Sequence, residues 1–219
     1  MKRPETILYH DLKSLGFQRK GRQTLFIRQN DVIGLLSFDR PTSHLYVTFA
    51  ILPLFLPCQG FIHYSYGNRL DSMYPRLPFL NKESTEEEID EFCFEALWHI
   101  QGDLLPFLES MSTAKALMDF SKKGVKPFGR RFTKYIFCMP CQLGELYLYS
   151  SLYLKDYKEA IRAAAKYEKM ILKAPIQQKL KDAEIQQCKS ILAAIREENY
   201  SWIDSMLEKN IESNLALFM

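Results

Sequence analysis

Two cysteines three positions apart carry the sharpest chemical signal in this chain. Cys138-Met-Pro-Cys141 follows a short apolar run, Tyr135 to Cys138, and precedes a helical pattern. A thiol at a helix N-terminus loses its proton more readily, because the unpaired N–H groups there favour the thiolate. An unshifted thiol of pKa about 8.5 is only about 3% ionised at pH 7, so thiol–disulfide exchange through Cys138 and Cys141 depends on that shift. The competing reading is a reduced pair that serves packing. A zinc site needs a second pair of ligands. Cys58 with His63 is the candidate, but the spacing is loose and no metal is expected.

The second cluster is basic. Lys122, Lys123, Lys126, Arg130, Arg131 and Lys134 crowd around Gly124, Pro127 and Gly129, with Phe128 and Phe132 interleaved. Cations that follow a phosphate backbone, beside rings that stack on bases, are how single strands are held. The net charge is only +3, so no whole-molecule field draws in nucleic acid. A solvated loop is the expected state of this segment. His10, His44, His63 and His99 are scattered, none in a two-histidine metal pattern. His99, next to Trp98, reads as a satisfied or half-exposed side chain. Glu86, Glu87 and Glu88 suit a helix N-terminus. No phosphate-binding loop and no dinucleotide glycine fingerprint occurs, and no cofactor is expected.

The elements that position these residues begin with a helix from Pro4 to Leu15, ended by Gly16. A link, Gly16 to Gly21, leads to three strand-like runs within Arg22 to Leu52. Asn30-Asp31 makes a two-residue hairpin turn between the first two. The second, Val32 to Phe38, is apolar on both faces and should be covered on both. Pro53 and Pro57 mark a loop, Phe61 to Tyr66 reads as a fourth strand, and Gly67-Asn68 as a turn. Ser84 with Glu87 forms a capping box before an amphipathic helix whose apolar stripe is Ile89, Phe92, Cys93, Ala96, Leu97 and Ile100. Gly102 and Pro106 kink or end it. Ser112 to Phe120 is a further short helix.

After Pro140 the pattern is helical: Leu143 to Leu154, Tyr157 to Leu172, Ile176 to Ile195, and Trp202 to Phe218. Pro175 suits a first turn and Ser201 with Asp204 a cap. Four helices with short breaks should pack as neighbours in a bundle. Leu152 to Ile161 resembles part of a tetratricopeptide repeat, and the unbroken run after Ile176 makes it a helix hairpin rather than an array. The expected class is α+β: an N-terminal antiparallel sheet covered by helices, and a C-terminal helical bundle. The divisions are 1–120, a basic loop and short strand at 121–140, and a bundle at 141–219 packed on the first part.

Leu12-Lys-Ser-Leu-Gly-Phe-Gln-Arg-Lys-Gly21, then Thr24-Leu-Phe26, strands ending near Phe49-Ala-Ile51, and Asn68-Arg69-Leu70, together resemble the family known as domain of unknown function 4304. The likeness covers the N-terminal half. It implies an α+β domain and supplies no activity or catalytic residues. Cys138-Met-Pro-Cys141 also resembles the active turn of thioredoxin-type oxidoreductases, but only helices follow it, where that fold requires further strands.

The chain has 219 residues with 47% hydrophobic and 25% charged side chains, enough for a core without disulfide or metal staples. No apolar run reaches membrane-spanning length, and Asp11 and Lys13 interrupt any signal-peptide core. Five cysteines, an odd number, fit reduced thiols in a cytoplasm. These observations lead to the expectation of a non-enzymatic protein-binding module, an adaptor or an immunity-type protein, whose partner is another protein. Thiol exchange through Cys138 and Cys141, and phosphate binding through the basic segment, are the alternatives.

Overall fold

The fold is seen in a computed structural model that describes residues 3–41, 43–58, 60–124 and 134–219. The described residues form two compact units that interleave along the chain. The first takes them from Met1–Leu52, His63–Ser112 and Phe132–Phe137, and the second from Pro53–Ile62, Thr113–Arg131 and Cys138–Met219. The expected divisions near 120 and 140 follow chain order instead.

The first unit is α+β. Helix α1 (Pro4–Leu12) opens on a proline, whose missing N–H costs nothing in a first turn, and runs into a single 3₁₀ turn, Lys13–Leu15. Gly16, at φ 93°, ends it in the left-handed region open to glycine. Five strands follow in simple neighbour order: β1 (Gln18–Lys20), β2 (Thr24–Gln29), β3 (Val32–Asp39), β4 (Tyr46–Pro53) and β5 (Gly67–Arg69). The sheet is antiparallel. Gln29 faces Val32 across the two-residue turn, with Asn30 at φ 47°. The turn is anchored: Asn30 Nδ2 donates to Ser112 Oγ at 2.9 Å, and the Asp31 N–H to the Ser112 carbonyl at 3.0 Å.

Helix α2 (Leu70–Met73) leaves β5 directly. Helix α3 (Glu86–His99) passes through a π-helical turn, Ile100–Leu104, into α4 (Leu105–Ser110). Near Gly102 and Pro106, where a kink or an end was expected, α3 stops at His99 and the chain turns π-helical; Pro106 then falls in the first turn of α4. Gly34 lets α4 approach β3: a Cβ there would run into the Leu108 side chain.

The second unit is helical: α5 (Ala114–Gly124), α6 (Pro140–Tyr153), α7 (Tyr157–Lys173), α8 (Gln178–Arg196) and α9 (Tyr200–Ala216). Each helix packs on the next among α5, α6, α7, α8 and α9, and α9 also meets α6. The 53–62 segment belongs here. Buried Asn214 donates to the carbonyls of Leu54 and Leu56 at 2.9 and 2.8 Å, and Asn210 to that of Phe55 at 3.0 Å. Phe55 stacks on Tyr153 at 5.0 Å.

Several local expectations shift. Phe61 to Tyr66 is not a strand; the fifth strand is Gly67–Arg69, where a turn was expected. The link after Gly16 contains strand β1. The short strand after the basic segment reduces to one bridge, Gly67 with Phe137. The capping box sits one residue later, at Thr85 and Glu88, because both of its bonds close there. Asn199 caps α9, and Ser201 donates to that same Asn199 oxygen. Helix α8 starts at Gln178, leaving Pro175 in the preceding bend.

Two glycines test this packing in opposite directions. A Cβ at Gly67 would strike the Phe49 carbonyl and come within 2.6 Å of Ala50 Cβ, while one at Gly102 meets nothing within 4 Å. Gly67→Ala is expected to lower stability by about 2 kcal/mol or more, as overpacking does. Gly102→Ala should be neutral or raise it by up to about 1 kcal/mol. Urea midpoints of the two variants check both signs.

Candidate functional site

The paired thiols lie at the start of α6. Met139 is the N-cap residue, with its N–H bonded to Gln142 Oε1 at 2.7 Å, and Pro140 and Cys141 are the first two helical residues. The helix terminus acts on Cys141 as its position implies, because the N–H groups of Gln142 and Cys141 itself favour its thiolate. Burial opposes them and is larger, and Glu145 and Glu184 add repulsion, so the Cys141 thiol is pushed up. Cys138 is buried, and loss of solvent with Cys141 nearby pushes it to about 12. Both thiols are free, and both are held protonated at neutral pH.

The described residues of the basic cluster separate. Lys122, near the end of α5, binds Glu159 Oε2 at 2.8 Å inside the second unit. Glu159 also accepts from the Tyr147 hydroxyl and from Arg162. These three donors, Lys122 foremost, hold its carboxyl down at about 2. Lys123 is exposed. Lys134 belongs to the first unit, where its Nζ reaches Asp103 Oδ2 at 3.3 Å and lies 4.1 Å over the Tyr74 ring. Lys126, Arg130, Arg131, Phe128 and Phe132 lie outside the described residues.

Lys134 joins a group of side chains around the end of α3. The rings of Tyr74 and His99 stack with centroids 3.6 Å apart and 18° between planes. His99 Nδ1 stands 3.9 Å from Asp103 Oδ2, beyond hydrogen-bond reach. Burial lowers the His99 pKa first, Lys134 lowers it further, and Asp103 and Glu95 oppose. A neutral imidazole filling space between Tyr74 and Trp98 is what this environment favours. Among the described residues no group of three or more His, Cys, Asp or Glu converges as a metal site.

What this group positions is α3 itself. The helix is fixed at both ends, by the Thr85–Glu88 capping box and by the His99–Tyr74 stack. Its inner face buries Ile89, Phe92, Cys93 and Ala96, Ile100 of the π-helical turn continues it, and α1 packs on α3. The opposite face carries Phe94, 71% exposed, and Trp98, 62% exposed. They are four residues apart, one turn on the same side. Glu87 and Glu91, also exposed, continue the same ridge toward the N-terminus. The residues expected to carry chemistry did not include this pair. The signal was present: at 100° per residue, Phe94 and Trp98 fall opposite the stripe of Ile89 to Ile100.

Fold and surface thus define an α+β unit presenting an aromatic ridge, with a helical unit alongside it in the sequence. No family model, curated protein or solved structure matches the chain. No described helix is long and apolar enough to cross a membrane.

Two measurements test the chemistry of these groups. Cys138 and Cys141 should react with iodoacetamide at pH 7 at least about tenfold more slowly in the native chain than in urea, read by peptide mass spectrometry. The Glu159 carboxyl titrates near 4.5 when unfolded and near 2 when folded. The unfolded state therefore binds more protons between those values, so stability rises with pH there and is lost as pH drops from about 4.5 toward about 2. Glu159→Gln should flatten the urea midpoint against pH between about 4.5 and about 2 and leave its slope near pH 7 unchanged.

Proposed function

We propose that the protein is a non-enzymatic binding module, an adaptor or an immunity-type protein, and that it meets another protein through the outward ridge of α3. The observation that carries this is the exposure of Phe94 and Trp98 side by side on a helix whose other face is locked in a core. Burying a large apolar side chain is worth roughly 1.5–3 kcal/mol, so two adjacent ones left in water form a surface with much to gain from a partner. Tryptophan on a rigid element is the residue type that most often dominates a protein interface. Support also comes from the thiols of buried Cys138 and half-buried Cys141, both held protonated, and from Lys122 and Lys134, which are engaged with carboxylates.

Five cysteines, an odd number and none in a disulfide, fit a reducing cytoplasm, and the reading includes that location. The resemblance to domain of unknown function 4304 belongs to the same proposal. It implies an α+β domain and no reaction.

The test is capture of a partner by the tagged 219-residue chain from an extract of its source cell. The double substitution Phe94→Ala with Trp98→Ala is expected to leave the thermal midpoint within a few degrees of the parent, since both side chains are exposed. The same variant should lose a stoichiometric protein partner that the parent retains. Equal retention by both would remove the ridge from the function.

A further inference from the structure

The face that would complement this ridge occurs in the same chain. Helix α7 turns Ala160, Ala163, Ala164, Tyr167 and Ile171 inward. Its outward side exposes Lys158, Ile161, Ala165, Lys169 and Leu172 at spacings of three and four. Ile161 is 45% and Leu172 56% exposed. Arg162, Lys166 and Lys173 flank this line on one side and the half-buried Glu168 lies at its other edge, while the buried acid Glu159 is occupied by Lys122, Tyr147 and Arg162. This is a cationic amphipathic face. Helix α3 is its electrostatic opposite: Glu86 to His99 holds six carboxylates and no lysine or arginine.

We infer that the α3 ridge of one molecule docks on the outer face of α7 of a second copy of this chain. The inference rests on the reading of α3 as a docking surface and names its occupant. Glu87, Glu91, Phe94 and Trp98 are spaced four, three and four, a ridge roughly 16 Å long at 1.5 Å per residue. Run antiparallel, Lys173, Lys169, Ala165 and Ile161 follow at steps of four. Glu87 then meets Lys173, Glu91 meets Lys169, and Phe94 and Trp98 lie on Ala165 and Ile161. The small Ala165 admits the Phe94 ring, and ridges at these spacings fit the grooves of a facing helix. Six carboxylates turn the ridge away from nucleic acid and from anionic lipid, whose phosphates they repel.

The two faces differ, so the contact is heterologous. It closes reciprocally into a dimer or extends with concentration. One helix pair buries less than a stable interface needs, so the association is weak. Its charge pairs are exposed, and salt weakens it further.

Sedimentation of the full chain from about 1 to about 500 μM tests this, a range suited to a weak interface. The parent should self-associate at low salt and dissociate as salt is raised. Glu87→Lys with Glu91→Lys places cations opposite cations, and Lys169→Glu with Lys173→Glu places anions opposite anions. Each double variant alone should associate at least about tenfold more weakly, and an equimolar mixture of the two should associate like the parent. Circular dichroism confirms that each variant is folded. A parent that is monomeric throughout, variants that associate unchanged, or a mixture that fails to recover would each overturn the inference. A monomeric parent whose capture of another protein still needs Phe94 and Trp98 leaves the binding function standing without this occupant. Salt-sensitive self-association with partner capture indifferent to Phe94 and Trp98 leaves the reverse.

Discussion

From Val32 to Phe38 every residue of β3 is out of water, so apolar surface has to meet the strand on both sides. Much of the first unit follows from that demand. Its neighbours β2 and β4 bury four and six of their residues. Gly34 in the middle of β3 has no side chain, and this lets Leu108 of α4 come against the strand. Helix α4 is in turn tied to α3 through the π-helical turn Ile100–Leu104. A strand that needs cover on both faces therefore fixes helices in place, and α3 is one of the helices so fixed.

That constraint gives the outward ridge of α3 its meaning. A loose helix exposing Phe94 and Trp98 would rotate or fray to bury them. This one is held by a capping box, by four buried side chains and by the His99–Tyr74 stack, so the two rings stay in water. Lys134 contributes at a distance in sequence, pairing with Asp103 and covering the Tyr74 ring. The buried polar groups of the second unit serve the same kind of end. Asn214 holds the carbonyls of Leu54 and Leu56, and Glu159 gathers Lys122, Tyr147 and Arg162, so each satisfies groups that would otherwise be costly to bury.

The cysteine pair shows how two effects compete at one site. The start of a helix favours a thiolate, and the N–H groups that do so are present at Cys141. Burial and two carboxylates act the other way and are larger, so position in the helix does not by itself make the thiol reactive. The basic segment divides for a related reason. Its described ends, Lys122 and Lys134, each found a carboxylate in the unit to which they belong, and a charge already paired contributes little to an external field.

Local chemistry was readable from the residues. Gly16 ends the first helix, Asn30-Asp31 turns the hairpin, β3 is buried on both faces, and four helices follow Pro140, because short-range sterics and periodicity decide such features. Caps slipped by one or two residues, as at Thr85 and Asn199, since several neighbouring side chains were able to serve and only the closed bond selects one. Strand β5 was missed because Gly67 pairs for a tertiary reason, the close approach of β4, which leaves no pattern in three residues. The assignment of 53–62 to the helical unit, the partners of Lys122 and Lys134, and the protonation of the cysteines all depend on groups far apart in the chain. Residue order sets which side chains a helix turns outward; only the packed structure decides whether anything covers them, because burial is a property of neighbours that sequence distance does not encode.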